Sequence, residues 1–426
     1  RMLTREENEL LTRVGADTPM GELMRAHWTP ICLIEEVAER DGKPLLIEAL
    51  GERFVAFRDS DGRIGLLDEL CPHRRASLVL GRNEECGLRC LYHGWKFDVE
   101  GNVLAMSSEP DGSPLADKVK HRAYPTREWG GFVWAWFGAL EEVPEFEPPA
   151  FAPSQDTKIA ILKINVPCNW AQITEGQIDS AHSSSLHSTD MVPARVEGAA
   201  ADSSSWYRPS TDKSPKMQIQ TTSYGFRYAA VRRPIKNAST HNYVRVTQYI
   251  APYTSLIPPN NMYNVASVIV PNSDTSTSFY FIAWGGAACP STAEWRQFNC
   301  AVPGIDVDEQ WRPWRSIDNW FGQDRQAMKL DSFSGISGIP NQDLAMWCSM
   351  PTIVDRSQDI LGASDLAIVE FRRLMVDAAA RVASGDVAIG TGDDHVPHAS
   401  IASFEQVIPK ETDWRDLLDA NKVAAE

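Results

Sequence analysis

Two short segments, each with one cysteine and one histidine, constrain this chain most. Cys71 and His73 lie in "CPHRRASLVL", and Cys90 and His93 lie in "CLYHGWKFD", which gives the pattern Cys-x-His, sixteen residues, Cys-x-x-His. Thiolates and imidazoles are metal ligands, so a scaffold has to bring both segments to one point. Short apolar runs bounded by turn residues, such as "RFVAF" and "IGLLDEL", surround them. They predict an all-β domain that presents the four side chains on loops between strands.

A set of two cysteines and two histidines has two interpretations. A structural zinc ion takes the same ligands, but zinc modules usually draw two cysteines from one segment and two histidines from another. Here each segment supplies one of each, which favours a Rieske [2Fe–2S] cluster with thiolates on one iron and imidazoles on the other. Such a cluster has a potential of about −150 to +300 mV and passes electrons on without oxidising a substrate itself.

The length of the chain indicates more than one domain. With 426 residues, of which 43% are hydrophobic, it exceeds the roughly 250–300 residues that one core usually serves. The stretch "EEVPEFEPPAFAPSQ" is rich in proline and glutamate and has no apolar period, which is typical of a linker. We therefore predict an N-terminal helical segment over residues 1–27, the Rieske-type domain over 28–142, a linker over 143–155 and a second domain over 156–426.

The second domain is predicted to combine an antiparallel sheet with helices. Apolar strand patterns run from "KIAILKINV" to "SFYFIAWGG" and are joined by turn clusters. The stretch "SDLAIVEFRRLMVDAAARVASG" then predicts a helix with Ser364 as its N-cap and Gly385 as its stop. The predicted fold class is α+β.

Charge and composition exclude several partners. The chain has 41 Lys and Arg against 57 Asp and Glu, a formal net charge of −16, which repels nucleic acids and anionic membranes. No apolar run approaches the roughly 18–20 residues of a membrane span, and no signal peptide is recognisable, so we expect a cytoplasmic protein. The cysteines outside the motif are irregularly spaced and are predicted to be reduced: Cys32, Cys86, Cys168, Cys289, Cys300 and Cys348.

A second metal site is predicted in "DSAHSSSLH", which contains Asp179, His182 and His187. Two histidines and a carboxylate on one face of an iron leave positions open for O₂ and substrate. Because Asp179 precedes His182 by three residues, it is expected beside that histidine as a hydrogen-bond acceptor, so another carboxylate completes the site. A five-residue spacing turns through about 140° on a regular helix, so the helix should end or distort between the histidines.

The loops "CPHRRASL" and "CLYHGWKFDVEGN" resemble those of Rieske non-heme iron oxygenases. Respiratory Rieske proteins carry an additional cysteine in each loop, whereas Arg74, Arg75 and Ala76 follow His73 here. The resemblance implies a catalytic domain of the helix-grip type and a mononuclear Fe(II). It also implies a carboxylate ligand far downstream, at a place that "IPNQDLAMW" matches with Asp343. Other acids lie nearby in sequence and compete for this role: Asp324, Asp331 and Asp355.

The resemblance extends over nearly the whole chain, through "CNWAQITEGQIDSAHSSSLH" and "FRRLM", to the branch of the family that cis-dihydroxylates phthalate at ring positions 4 and 5. It implies O₂ as co-substrate, NADH as indirect electron source, a separate flavin and iron–sulfur reductase, and a homo-oligomer of trimers, single or stacked. It further implies that Asp179 connects His93 of one subunit with His182 of the next. Many relatives carry asparagine where this chain has Gly176.

An aromatic dicarboxylate substrate calls for arginine, whose planar guanidinium binds carboxylates with two hydrogen bonds. Arg245 lies between tyrosines in "YVRVTQY" and Arg208 follows an aromatic pair, and both are predicted to bind substrate, with Ser180 as a further donor. An exposed Arg245 is an equally good interpretation of that strand. Arg232 and Arg233 are expected at a solvated strand end.

Two other functions fit the same residues. The iron could serve a monooxygenase or O-demethylase that acts on another aromatic acid. A pure electron carrier would instead hold about two irons per chain, against about three in an oxygenase.

Overall fold

The computed structural model describes residues 2–193, 206–259 and 263–418. The chain divides into two compact units. The large unit comprises residues Arg1–Val14, Thr18–Leu23 and Glu147–Glu426, and the small unit comprises Gly15–Asp17 and Met24–Phe146.

The small unit contains three antiparallel sheets, with strand orders β1-β10-β9, β2-β3-β4 and β5-β6-β7-β8. Its strands are β1 Thr29–Leu33, β2 Leu45–Ala49, β3 Glu52–Arg58, β4 Ile64–Asp68, β5 Arg82–Glu84, β6 Gly87–Arg89, β7 Trp95–Phe97, β8 Val103–Met106, β9 Thr126–Trp129 and β10 Phe132–Ala135. The predicted strands "RFVAF" and "IGLLDEL" correspond to β3 and β4. One cysteine–histidine pair follows β4, and the other lies between β6 and β7. A buried apolar core that includes Phe57, Leu67 and Phe97 contacts both cysteines.

The large unit is built on an eight-stranded antiparallel sheet, with the order β11-β19-β18-β17-β16-β15-β14 and with β20 paired to β16. A separate parallel pair, β12 and β13, lies outside it. The strands are β11 Lys158–Val166, β12 Met191–Pro193, β13 Trp206–Arg208, β14 Lys216–Thr222, β15 Gly225–Arg232, β16 His241–Ile250, β17 Thr254–Ile257, β18 Asn264–Ser273, β19 Ser276–Gly285 and β20 Phe404–Pro409. The predicted antiparallel sheet is thus confirmed, and β17 and β20 are strands that the sequence analysis missed.

Strand β16 is paired along both edges. One edge is hydrogen-bonded to β15 over its length. The other edge is shared by β17, opposite Gln248 to Ile250, and by β20, opposite His241 to Val246. The residues of β16 from Tyr243 onward are buried on whichever face they lie, so the interpretation of Arg245 as a surface residue is wrong.

The helices are α1 Arg5–Thr12, α2 Pro19–Arg25, α3 Trp170–Gln177, α4 Thr292–Phe298, α5 Ala327–Leu330, α6 Ile339–Ser349 and α7 Leu366–Ala383. Short 3₁₀ helices occupy Ile34–Val37, Leu78–Leu80, Leu140–Glu142, His182–Ser184, Ile317–Gly322, Ala363–Asp365, Gly392–Asp394, His398–Ser400 and Trp414–Leu417. Helix α7 has Asp365 as its N-cap, not Ser364, because a 3₁₀ turn precedes it. Gly385 follows its C-cap with φ +89° and ends it as predicted.

Within the described residues, no helix is both long and apolar enough to cross a membrane. All eight cysteines are free thiols. This agrees with the expectation that they form no disulfide framework.

Helices α3 and α6 approach each other closely in the large unit. A Cβ atom placed on Gly176 of α3 would lie 2.4 Å from Nε1 of Trp347 and 3.0 Å from the next atom of that indole ring. Trp347 is buried at 3% exposure, so its ring has little room to move aside. Glycine at position 176 therefore sets the distance between the two helices.

We expect Gly176→Ala to destabilise the protein. Alanine has the better helical propensity, by about 1 kcal/mol, but overpacking against a rigid buried ring costs about 1–3 kcal/mol. Because the 2.4 Å contact places the cost near the upper end of that range, the net loss should be about 2 kcal/mol, visible as an earlier midpoint in urea unfolding. Gly286→Ala is the matched control, because its Cβ would meet nothing within 4 Å. Equal midpoints for the two variants would contradict the close approach.

Candidate active site

The small unit brings its two cysteine–histidine pairs together. The rings of His73 and His93 meet edge to face with 4.4 Å between centroids, and His73 stacks on Trp95 at 4.5 Å. Both cysteines are buried while both histidines are partly exposed. Burial raises the pKa of the Cys71 thiol to about 11. The backbone N–H groups of His73 and Arg74 are aimed at its sulfur and act to lower this pKa. These N–H groups are suited to stabilise a thiolate ligand.

The four donors suit a two-metal cluster better than a single ion. In the described chain, three donor atoms close enough to share one ion occur at two places, and neither includes these residues. The thiols form one side and the imidazoles the other, as a [2Fe–2S] group with sulfur and nitrogen ligands on different irons requires. The zinc interpretation does not fit this arrangement.

In the large unit, His182, His187 and Asp343 converge on one point. The Nε2 atoms of the two histidines are 3.1 Å apart. Oδ1 of Asp343 lies 3.4 Å from Nε2 of His182 and 3.0 Å from Nε2 of His187. Such spacings suit one ion with ligand bonds of about 2.0–2.2 Å. Two imidazoles and a carboxylate form the donor set of non-heme iron(II) sites.

The two histidines follow α3 on a turn that is no longer α-helical. Helix α3 ends at Gln177, and His182 begins the 3₁₀ helix His182–Ser184, so the helix ends before the first histidine. Asp179 shapes this turn, since its Oδ1 accepts hydrogen bonds from the backbone N–H groups of Ala181 at 2.7 Å and His182 at 3.3 Å. Its Oδ2 lies 3.7 Å from Nδ1 of His182, an ion-pair distance.

Asp343 lies inside helix α6, one turn from its start. Burial acts to raise the pKa of Asp343, but the two histidine rings outweigh it and hold the pKa well below its usual range. Its second oxygen, Oδ2, accepts a long hydrogen bond of 3.5 Å from Gln177. The competing acids belong to no metal-binding group among the described residues: Asp324, Asp331 and Asp355.

A cavity opens beside this triad. Its walls combine polar groups with apolar side chains, and Trp206 and Phe281 are stacked along it with 6.5 Å between ring centroids. Arg245 and Ser180 also line it. Arg208 is buried behind the wall, where its guanidinium donates to Ser183 at 2.9 Å and to Ser184 at 3.2 Å.

Sequence analysis placed Arg232 in solvent, and this prediction was wrong. Arg232 is 1% exposed, and its guanidinium donates to the carbonyl oxygen of Ser180 at 2.7 Å and to its hydroxyl at 3.1 Å. The expectation holds for Arg233, whose side chain is 80% exposed beside Asp212. The serines between Asp179 and His187 accept hydrogen bonds from Arg208 and Arg232 and were the available signal in the sequence.

A carboxylate that sequence reasoning missed also contacts this cluster. Register places Glu405 of β20 directly opposite Arg245 of β16, and the two side chains form an ion pair at 2.7 Å. The hydroxyl of Tyr243 donates to the same carboxylate. Burial raises the pKa of Glu405, while Arg245 and Tyr243 oppose the shift.

Known protein families match the sequence of both parts of the chain. Residues 27–120 match the Rieske [2Fe–2S] domain, and residues 135–426 match the LigXa C-terminal domain like family. The chain is 59% identical to the phthalate 4,5-dioxygenase oxygenase subunit of Pseudomonas putida, over 99% of this chain and 98% of the relative. It is 31% identical to the 5,5'-dehydrodivanillate O-demethylase oxygenase subunit of a Sphingobium strain, over 90% and 82%.

Solved structures agree in fold. The crystal structure of dicamba monooxygenase bound to dicamba superposes with a TM-score of 0.54 at 14% identity, over 85% of this chain and 99% of that one. The chain belongs to the Rieske oxygenase family. It is an oxygenase component, and its cofactors are a Rieske [2Fe–2S] cluster and a mononuclear iron. As the oxygenase part of a multicomponent system, it depends on a reductase partner.

The two metal sites should be separable by mutation. His187→Ala removes a donor of the triad and leaves the cysteine–histidine pairs of the small unit intact. We expect the purified variant to keep its cluster absorbance, to hold about two irons per chain where the parent holds about three, and to oxygenate nothing. His241→Ala, whose ring hydrogen-bonds Thr240, is the control and should hold the full complement. Loss of the cluster absorbance in His187→Ala would contradict two separate sites.

Proposed function

We propose that this protein is the terminal oxygenase that cis-dihydroxylates phthalate at ring positions 4 and 5. The observation that carries the proposal is a buried arginine cluster beside the triad and its aromatic-walled cavity. Similarity to a phthalate 4,5-dioxygenase over 99% of the chain supports the same substrate. In this reaction one phthalate, one O₂, one NADH and one proton give the cis-dihydrodiol and NAD⁺.

Charge supports a dianionic substrate. Three buried guanidinium groups, those of Arg208, Arg232 and Arg245, lie near two partly exposed carboxylates, Glu405 and Asp212. Burial, with the charge of Arg245, lowers the pKa of Arg208 to about 9 and that of Arg232 to about 10. Because arginine stays protonated in proteins, these shifts indicate that, among the described residues, the positive charge of the cluster is not fully balanced by counter-charge. Two carboxylates would supply it.

The chain's residues have distinct roles in this proposal. His182, His187 and Asp343 hold the iron, which when bound supplies the site where O₂ is bound and reduced with electrons from the cluster. Arg245 and Ser180, on the cavity wall, can bind one carboxylate of the substrate, and Arg208, directly behind the wall residue Ser183, is proposed to bind the other. Trp206 and Phe281 line the space for the ring and exclude water. Fixing both carboxylates determines which ring carbons face the iron.

Electrons are proposed to reach the cluster from NADH through a flavin and iron–sulfur reductase. NADH is a coenzyme of the cytoplasm, and we place the enzyme there. We further propose a ring of three identical subunits, single or stacked, in which Asp179 of one subunit connects its His182 with His93 of the next. Exposed apolar side chains beside the cluster ligands, Leu91 and Tyr92, support an interface at that face.

Relatives with other reactions define the alternatives to test. The Sphingobium relative is named as an O-demethylase, so the same fold also serves a reaction that inserts one oxygen atom. Turnover of a panel of aromatic acids with a surrogate reductase and ¹⁸O₂ separates them. Phthalate should give a cis-4,5-dihydrodiol that carries both labelled atoms. A singly labelled product, or no turnover of phthalate while another acid reacts, would contradict the proposal.

We expect Arg208→Ala to raise the KM for phthalate by about 10²-fold. The change leaves one substrate carboxylate without a charge-assisted partner, a loss of about 3 kcal/mol. Benzoate lacks the second carboxylate, so its KM should rise much less. Arg233→Ala, which removes an exposed arginine, should leave the KM values for phthalate and benzoate unchanged. An equal rise in KM for both substrates in Arg208→Ala would mean that Arg208 supports the fold and does not bind the substrate.

Asp179→Asn tests the proposed connection between subunits. The substitution preserves size and removes the charge beside His182, so both metals should remain while turnover falls by at least 10-fold. Stopped-flow absorbance should show a chemically reduced cluster that is re-oxidised slowly when substrate and O₂ are added. Steady-state rates within a factor of three of the parent would show that Asp179 is not the connection.

A further inference from the structure

Gln342 forms hydrogen bonds with both ends of its side-chain amide. Its Oε1 lies 2.7 Å from Nδ1 of His187. Its Nε2 donates to Oδ2 of Asp190 at 2.8 Å and to the carbonyl oxygen of Ile336 at 2.8 Å. The residue is 2% exposed, so water does not compete for these groups. It immediately precedes Asp343 on α6.

The partners of Gln342 fix the orientation of its amide. A carboxylate and a backbone carbonyl accept hydrogen bonds and donate none. If the amide were flipped, its oxygen would face both acceptors and its NH₂ group would be left with His187. The two oxygen–oxygen contacts would be unfavourable in a buried site. The amide oxygen therefore faces the histidine.

An oxygen atom at 2.7 Å needs a donor, so Nδ1 of His187 carries the ring hydrogen. A neutral imidazole has one N–H group, which leaves the lone pair on Nε2. That atom lies 3.0 Å from Asp343 and 3.1 Å from the Nε2 of His182. We infer that Gln342, held by Asp190, is the positioning residue that fixes the tautomer and ring orientation of His187 for iron binding.

This inference rests on the iron site proposed above and adds how the site is kept ready for the metal. Asp190 lies on the same turn as the histidine, with its backbone N–H bonded to the carbonyl oxygen of His187 at 3.0 Å. Helix α6 thus supplies one metal ligand at position 343 and, at the adjacent position, the acceptor that orients another. Among the described residues, Nδ1 of His182 has no acceptor within hydrogen-bonding distance, and Oδ2 of Asp179 lies 3.7 Å from it. A hydrogen-bonded acceptor is thus found for His187 and not for His182.

The test measures iron(II) affinity of the full-length protein by competition with a chelator. Gln342→Met keeps the length of the side chain and removes the acceptor, so affinity should fall by about 10–100-fold, the usual effect of losing such a partner. Gln172→Met is the matched control. Gln172 is 3% exposed and bonded to the backbone of Trp347 and Pro351 at 3.1 Å each, without touching a metal ligand. The iron(II) affinity of Gln172→Met should stay within threefold of that of the parent.

A second comparison does not depend on the stability of the methionine variant. Gln342→Glu keeps an acceptor for His187 but places a second carboxylate against Asp190, so iron affinity should fall. Adding Asp190→Asn restores a donor between the two side chains and should recover affinity by about 10-fold. Cluster absorbance should be equal in all variants, because the cluster lies in the small unit.

Three results would overturn the inference. The first is iron affinity in Gln342→Met within threefold of the parent. The second is an equal loss in Gln342→Met and Gln172→Met, and the third is no recovery when Asp190→Asn is added to Gln342→Glu. Failure of His187→Ala to lose iron would instead remove the proposed site itself, so the two failures are distinguishable.

Discussion

The mononuclear site depends on the close packing of helix α3 against helix α6. The histidines follow α3 and the aspartate lies in α6, so the separation of these helices sets the distances among the three donor atoms. Gly176 permits that separation because it has no side chain to push against Trp347. A packing contact between two helices thus contributes to the spacing of the three donor atoms.

The proposed substrate pocket depends on an imbalance of charge. Buried ions are usually neutralised by partners of opposite sign, yet in the described part of the chain the arginine cluster has two nearby carboxylates, Glu405 and Asp212, for three guanidinium groups. The serines of the turn after α3 and nearby carbonyl groups provide hydrogen bonds without charge. The cost of holding excess positive charge in the free enzyme is offset when a dianion binds. A neutral aromatic ring would gain nothing from this arrangement, which makes the cluster a basis for selectivity.

Much of the fold was predictable because local sequence patterns indicate its strands and helices. The alternation within β3 and β4 and the long apolar runs of the large sheet identified strands. The spacing of cysteines and histidines predicted both metal motifs, while Asp343 came from the family resemblance. Strand β20 was missed because its partner lies about 160 residues away and its own pattern is short. Arg232 was misplaced because a strand end looks solvated in sequence, whereas serines from another segment cover it. Gln342 carries no signal beyond its place next to Asp343.

The position of β20 beside β16 has a consequence for biosynthesis. Glu405 follows Arg245 by 160 residues, and a ribosome adds about 5–20 residues per second. The sheet edge that receives β20 therefore emerges roughly 8–32 s before the strand that completes it. During that interval the arginine lacks its carboxylate, and the unpaired edge of β16 is open to the edges of other nascent chains. Rapid docking of the last strand is thus a requirement on the order of synthesis as well as on the finished molecule.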